Sequence, residues 1–223
     1  MPNEDRVHAI LEDFMGAERV RVSRTLGYPP RLDRMATFNW WQHQQELAGT
    51  LYRSLRPVWQ QAAEQFRFCE AEGLNMTQLD RQILSAAEDQ AMRQARQIAA
   101  TTARQVGQAV QDFRDRVLTR RQYYSRLREI FTGHRLETIA ASSTTQAAVK
   151  GMRLAASACE RARNQTYRRI WYTAHDERVC PVCGPLHGTS EDVWGPYYND
   201  GLMAHPQCRC WIEYRKRRGR RAA

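Results

Sequence analysis

Between Thr77 and Leu118 the chain runs without a proline. Leu79, Ile83, Ala87, Ala91, Ala95, Ile98, Thr102, Val106, Ala109, Phe113 and Val117 recur there three and four residues apart. That spacing puts all of them on one face of an α-helix. At 1.5 Å per residue the helix is roughly 60 Å long. Alanines in the stripe let another helix approach closely, while glutamines and arginines cover the other faces. So small an apolar stripe cannot stabilise so long a helix, which therefore needs a neighbour: the preceding helix or a second subunit. Gly73 and Asn75 break the pattern ahead of it, and Thr77 with Asp80 predicts an approximate capping box.

The flanking segments are helical as well. Val7, Ile10, Leu11, Phe14, Met15 and Val20 predict a helix over 4–26, ended by Gly27, Pro29 and Pro30. A second stretch, 36–72, carries Phe38, Trp41, Leu51, Leu55, Val58, Trp59, Ala62 and Phe66 as its apolar stripe, with Pro57 expected to kink or split it. Trp40, Trp41, Tyr52 and Trp59 could stack on bases, but at helical spacing such residues serve as core or interface anchors. Trp40, Trp41 and Trp59 are assigned to a partner surface. Residues 119–132 predict a short helix closed by Gly133, and 134–169 a longer one. Cys69 and Cys159 fall on helices and read as small buried hydrophobes. After Arg169 the period changes, and 170–174 and 210–214 are strand candidates.

Four of the six cysteines gather near the C-terminus, in W-Y-T-A-H-D-E-R-V-C-P-V-C-G-P-L-H-G and then M-A-H-P-Q-C-R-C-W. Cys180 and Cys183 have the Cys-x-x-Cys spacing with which a tight turn aims two thiolates at one metal ion. Cys208 and Cys210 supply a second pair across a 24-residue loop, and His205 is an alternative ligand. A structural zinc ion fits this set. Reduced unmetallated thiols and disulfides are the other readings. A nucleophilic Cys/His enzyme site would need one activated thiol beside one base rather than four shared thiols, so no catalytic residue is assigned. Asp176 and Arg178 are placed around the ligands, holding the knuckle backbone.

The same residues resemble the Mu F-like family, the head morphogenesis or minor capsid proteins of tailed bacteriophages. The family pattern is a tryptophan, D-x-R-x-C-x-x-C-x-x-L-x-G, and later H-P-x-C-R-C. Trp171, Asp176, Arg178, Cys180, Cys183, Leu186, Gly188, His205, Pro206, Cys208, Arg209 and Cys210 fall on it. The resemblance reaches back to about residue 120 and does not cover the first hundred residues. Where the family tends to read I-A-x-T-E-x-T-x-A, this chain has I-A-A-S-S-T-T-Q-A, so Ser142 and Ser143 replace the threonine and glutamate. The resemblance implies a minor head protein of the virion, assembled in the host cytoplasm, associated with the portal or neck and able to touch packaged DNA.

Charge agrees with a polyanionic setting. The formal charge is +10 and only Lys150 and Lys216 are lysines, so arginine dominates, through function or through coding bias. Arg215, Lys216, Arg217, Arg218, Arg220 and Arg221 form a basic tail expected to contact DNA. The acidic start, M-P-N-E-D-R, predicts no signal peptide, and no run of about 18 apolar residues predicts a membrane span. The mean hydropathy of −0.71 favours long exposed helices or burial in a homo-oligomer over a compact enzyme. The expectation is a mainly α protein with an elongated long-helix assembly region at 1–118. A small α+β module with the zinc-knuckle-like site follows at 119–214, then the tail at 215–223. The competing expectation is a free zinc-binding, nucleic-acid-binding protein.

Overall fold

The computed structural model describes residues 2–164, 166–174, 179–198 and 205–216. The protein is mainly helical, with one two-stranded sheet near the C-terminus. Helix α1 spans Pro2–Leu26, as its periodicity predicts. Gly27 ends it at φ 70°, its N–H donating to the Ser23 carbonyl at 3.1 Å. This left-handed step is one that glycine takes without steric cost.

Helix α2 spans Trp40–Glu64. The Asn39 side chain accepts from the Gln42 N–H at 2.9 Å and so caps its start. The expected split at Pro57 does not occur: the helix continues through it. A proline forfeits one ladder hydrogen bond. The neighbouring Leu55, Val58 and Trp59, all buried, oppose that loss. The stretch is shorter than predicted at both ends, giving way to 3-10 turns at Leu32–Thr37 and Arg67–Glu72.

Helix α3 runs Met76–Arg114. The expected Thr77/Asp80 box is not its cap. Asn75 holds that role, its Oδ1 accepting from the Gln78 N–H at 2.9 Å. The predicted stripe is buried from Leu79 to Ala109, with Ile98 and Phe113 partly covered and Val117 exposed beyond the helix end. Ala91 and Ala95 are 1 % and 0 % exposed in the single chain, so the neighbour their stripe calls for is present without a second subunit. Helix α4, Arg120–Phe131, begins with a capping box between Thr119 and Gln122. Helix α5 covers His134–Arg163. Strands β1, Tyr167–Tyr172, and β2, Trp211–Lys216, pair antiparallel with Trp171 opposite Ile212 and Tyr172 opposite Trp211.

The compact units do not follow the predicted division at 118. One consists of Met1–Ser54 with Glu88–Ala140, the other of Leu55–Ala87 with Ala141–Ala223. Helices α2, α3 and α5 each supply residues to both, and helix periodicity carries no mark of where along a helix the packing partner changes.

The first unit is built around Met15, Val22, Leu26, Phe38, Val106, Tyr123, Leu127 and Phe131. It also encloses a buried polar pair: Glu18 Oε2 lies 2.5 Å from His43 Nδ1, with the two side chains 2 % and 0 % exposed. Arg21 binds Glu18 at 2.6 Å and Glu46 at 2.7 Å, which raises its already high pKa through hydrogen bonding to Glu46. In the second unit Trp59, expected at a partner surface, is instead core at 2 % exposure. Its helix meets Gly151 of α5, where an added Cβ would lie 3.0 Å from the Trp59 carbonyl oxygen. Trp40 is half-buried against Phe38, its Nε1–H donating to the Met35 carbonyl. Trp41, 71 % exposed, is the one of the three that presents a full surface to solvent. Cys69 and Cys159, expected as small buried hydrophobes, are fully buried and in addition form a disulfide spanning 90 residues. No helix among the described residues is long and apolar enough to cross a membrane.

Candidate metal centre

The sheet positions the cysteines. Because Tyr172 pairs with Trp211, the end of β1 and the start of β2 coincide, and Cys210, just before β2, lies at that end. Cross-strand stacking of Tyr172 on Trp211, with centroids 5.9 Å apart, reinforces the register. The chain after β1 returns to the sheet: Gly188 N–H donates to the Trp171 carbonyl at 2.7 Å and Trp171 N–H to the Thr189 carbonyl at 2.9 Å. Trp171 and Trp194 then meet edge to face at 5.7 Å in a core that contains Cys183, Cys208, Cys210, Val149 and Ile212. The thiols are therefore part of the apolar core itself.

Cys180 and Cys183 sit on one tight turn. The Cys183 and Gly184 N–H groups donate to the Cys180 carbonyl at 3.1 and 3.0 Å, and Cys183 N–H also points at Cys180 Sγ at 3.3 Å. The second ligand turn is His205–Cys208. Cys208 N–H donates to the His205 carbonyl at 3.2 Å, Pro206 follows His205, and Gln207 is left-handed at φ 62°. This is the arrangement of a type II turn, here with glutamine at the position that favours glycine. Ser142 of α5 accepts the Gln207 N–H through its Oγ at 3.0 Å, anchoring the turn.

These two turns bring four predicted ligands together, and Cys210 joins them. His205 Nε2 lies 3.0 Å from Cys180 Sγ and 3.4 Å from Cys183 Sγ. Cys183 Sγ lies 3.8 Å from Cys208 Sγ. Cys180, Cys183 and His205 form one group that could hold a metal ion, and Cys183, Cys208 and Cys210 another, with all ligand atoms of a group within 4.8 Å. Cys183 is common to both. A tetrahedron with sulfur arms of about 2.3 Å has sulfur–sulfur edges of about 3.8 Å, and an edge to a nitrogen at about 2.0 Å is about 3.5 Å. The Cys183–Cys208 and Cys183–His205 separations match those edges. His205 is also held in the useful tautomer. A carbonyl can only accept, so Nδ1–H donates to the Pro206 carbonyl at 2.6 Å and Nε2 is left with its lone pair facing the sulfurs.

Electrostatics favours a cation here. Burial, followed by the neighbouring Cys180 and Cys208, pushes the Cys183 thiol up to about 12. Its hydrogen bond with Cys208, then burial, raises Cys210 well above the ordinary thiol range. Ionising these thiols in an apolar core is unfavourable until a divalent ion compensates the charge.

Other expected residues are placed differently. Asp176 and Arg178 lie outside the described residues, as do Arg217, Arg218, Arg220 and Arg221. Arg215 and Lys216 belong to β2 rather than to a tail. Arg215 grips Glu213 through Nε at 2.9 Å and NH2 at 3.1 Å, and also reaches Tyr172 Oη at 2.5 Å. It is thus partly neutralised, because strand alternation places Glu213 and Arg215 on one face. Among the described residues His187 falls in neither ligand group: its Nδ1 accepts the Thr173 N–H at 3.2 Å while its ring meets Tyr172 edge-on. Neither this contact nor the anchoring by Ser142 leaves a signal in residue spacing, since both join segments far apart in the chain. Comparison with protein-family models, with curated proteins and with solved structures gives no match to this chain.

Proposed function

We propose that the chain is a structural, morphogenetic protein of a tailed-phage virion: a minor head protein associated with the portal or neck, whose C-terminal module is locked by a zinc ion. The observation that carries this reading is the pair of ligand groups, Cys180, Cys183 and His205 and then Cys183, Cys208 and Cys210, that share Cys183 and could hold a metal ion. These are the positions on which the Mu F-like resemblance rests. Zinc is the ion of choice for a buried, tetrahedral sulfur and imidazole set without redox demands. Cys180, Cys183 and Cys208 are its thiolate ligands. His205 takes the fourth place in preference to Cys210, because its tautomer is already fixed. The thiols are all occupied by ligation or its immediate surroundings, so the reading assigns the module to assembly rather than catalysis. Trp41, exposed on α2, is a contact for head or neck proteins or for a further copy of the chain.

The test is mass spectrometry of purified virions. The chain should be present at a small fraction of the major capsid protein and should co-purify with the portal. Absence from virions, with sequence-independent and salt-sensitive nucleic-acid binding by the free protein, would replace this reading by the free zinc-dependent nucleic-acid-binding protein that the charge of +10 also favours.

A further inference from the structure

Within the first unit, large rings stand in solvent where the core has no use for them. Tyr28 is 52 % and Tyr124 41 % exposed. Their rings face each other at 6.2 Å with planes only 22° apart, and Phe113 tilts against Tyr28 at 6.1 Å. The Arg120 guanidinium lies over the Tyr28 ring at 4.6 Å. Beside them opens a cleft of about 970 Å³ whose walls include Pro29, Pro30, Phe113, Arg114 and Arg116. Arg31 also reaches this cleft, but Asp33 holds it in a two-point pair at 3.1 and 2.6 Å. Arg114, Arg116 and Arg120 have no ion-pair partner among the described residues. The surface therefore joins part-exposed, mutually stacked aromatic rings to guanidiniums without a carboxylate partner among the described residues.

Arg116 adds an independent sign. Helix α3 ends in a Schellman arrangement: Val117 N–H donates to the Asp112 carbonyl at 2.9 Å and Arg116 N–H to the Phe113 carbonyl at 3.2 Å. The residue between these bonds must be left-handed, and Arg116 is, at φ 60°. Glycine or asparagine fits there without strain, whereas an arginine is held at a cost in backbone energy. Placing a cation at the mouth of the cleft against conformational preference is what a binding role would require.

We propose that this surface binds single-stranded nucleic acid, with bases stacking on Tyr28 and Tyr124 and phosphates held by Arg114, Arg116 and Arg120. Unpaired bases offer the π-faces that exposed tyrosines and arginines take up without sequence preference. A duplex hides those faces, and an acidic peptide lacks them. All the residues named belong to the first unit, so the binding calls on neither the metal centre nor a place in a virion.

The experiment uses the full chain and a fluorescein-labelled oligothymidylate of about 12 nucleotides, followed by anisotropy over a range of salt. Replacing both tyrosines, Tyr28→Ala with Tyr124→Ala, should weaken binding by about 5- to 150-fold for each base unstacked, while Tyr28→Phe should bind as wild type. Arg116→Gly should lower the slope of log affinity against log salt by about 0.7 and leave the melting temperature equal or higher. Photo-crosslinks from 5-bromodeoxyuridine placed in the probe should map to Tyr28 and Tyr124. Binding of oligouridylate in place of oligothymidylate would support the same surface and name RNA as the ligand. Crosslinks confined to residues 215–223 would overturn the proposal. So would a double tyrosine variant with wild-type melting and wild-type affinity. A duplex of the same length that binds as tightly, or oligoglutamate that displaces the probe equally well, would also overturn it.

Discussion

Replacing Ser142 by alanine removes one oxygen, the acceptor for the Gln207 N–H at 3.0 Å. That bond fixes the turn carrying His205 and Cys208 to helix α5. A neutral hydrogen bond contributes about 1 kcal/mol, and a buried donor left unpaired costs about 1–3 kcal/mol. Ser142 and Gln207 are both only partly buried, so water can satisfy the freed N–H and the lower figure of about 1 kcal/mol applies. In the metal-bound state the turn is ordered by its ligands as well as by Ser142. The loss therefore falls mainly on the preorganisation of the metal-free site, and about 1 kcal/mol converts to roughly fivefold weaker zinc binding. Competition against a chromogenic chelator, with the metal-free protein under anaerobic conditions, reads that shift directly. Ser142→Thr retains the oxygen and should bind zinc within about twofold of wild type. Ser142→Ala binding zinc as tightly as wild type, or Ser142→Thr impaired as much as Ser142→Ala, would refute this anchoring role for Ser142.

Four further outcomes are expected. Ala95→Glu, at a fully buried position, should destabilise the protein by about 3–5 kcal/mol in denaturant titrations, acting on the fold of the isolated chain rather than on subunit assembly. Glu18→Ala strips His43 of its Nδ1 partner, and because His43 Nε2 is already buried without one, urea unfolding should show a loss of about 3–5 kcal/mol. Metal uptake should release protons and tighten from pH 6 towards pH 9, because Cys183 is protonated in the metal-free fold. That same thiol, raised from 9.0 to about 12, stabilises the metal-free module fully below pH 9.0 and ceases to do so as pH climbs to about 12, which pH-dependent thermal melts can follow.

What could be read from residue order was what depends on local period and spacing. The stripe Leu79–Ala109 marks α3 because helical burial repeats every three to four residues. The Cys-x-x-Cys turn marks a ligand pair because two side chains on one tight turn must converge. What residue order hid depends on partners distant in the chain. Asn75 competes with Thr77 for the same cap, and only the path of the preceding turn decides between them. Pro57 breaks a helix in isolation, yet Leu55, Val58 and Trp59 are buried around it. Trp59 looks like an anchor by size alone until Gly151 of α5 meets its backbone. Cys69 and Cys159 lie 90 residues apart and meet through packing that their own neighbours do not announce. Arg215 reads as the first residue of a tail, but alternation of Glu213 and Arg215 extends β2 to Lys216.

The metal centre is the claim on which the proposed function turns, and zinc K-edge X-ray absorption with elemental analysis on anaerobically purified protein tests it most directly. About one zinc per chain is expected, with about three sulfur neighbours near 2.3 Å and one nitrogen near 2.0 Å. A shell of sulfur alone would put Cys210 in the place given to His205. Protein without stoichiometric metal, or with zinc surrounded mainly by oxygen, would contradict the account.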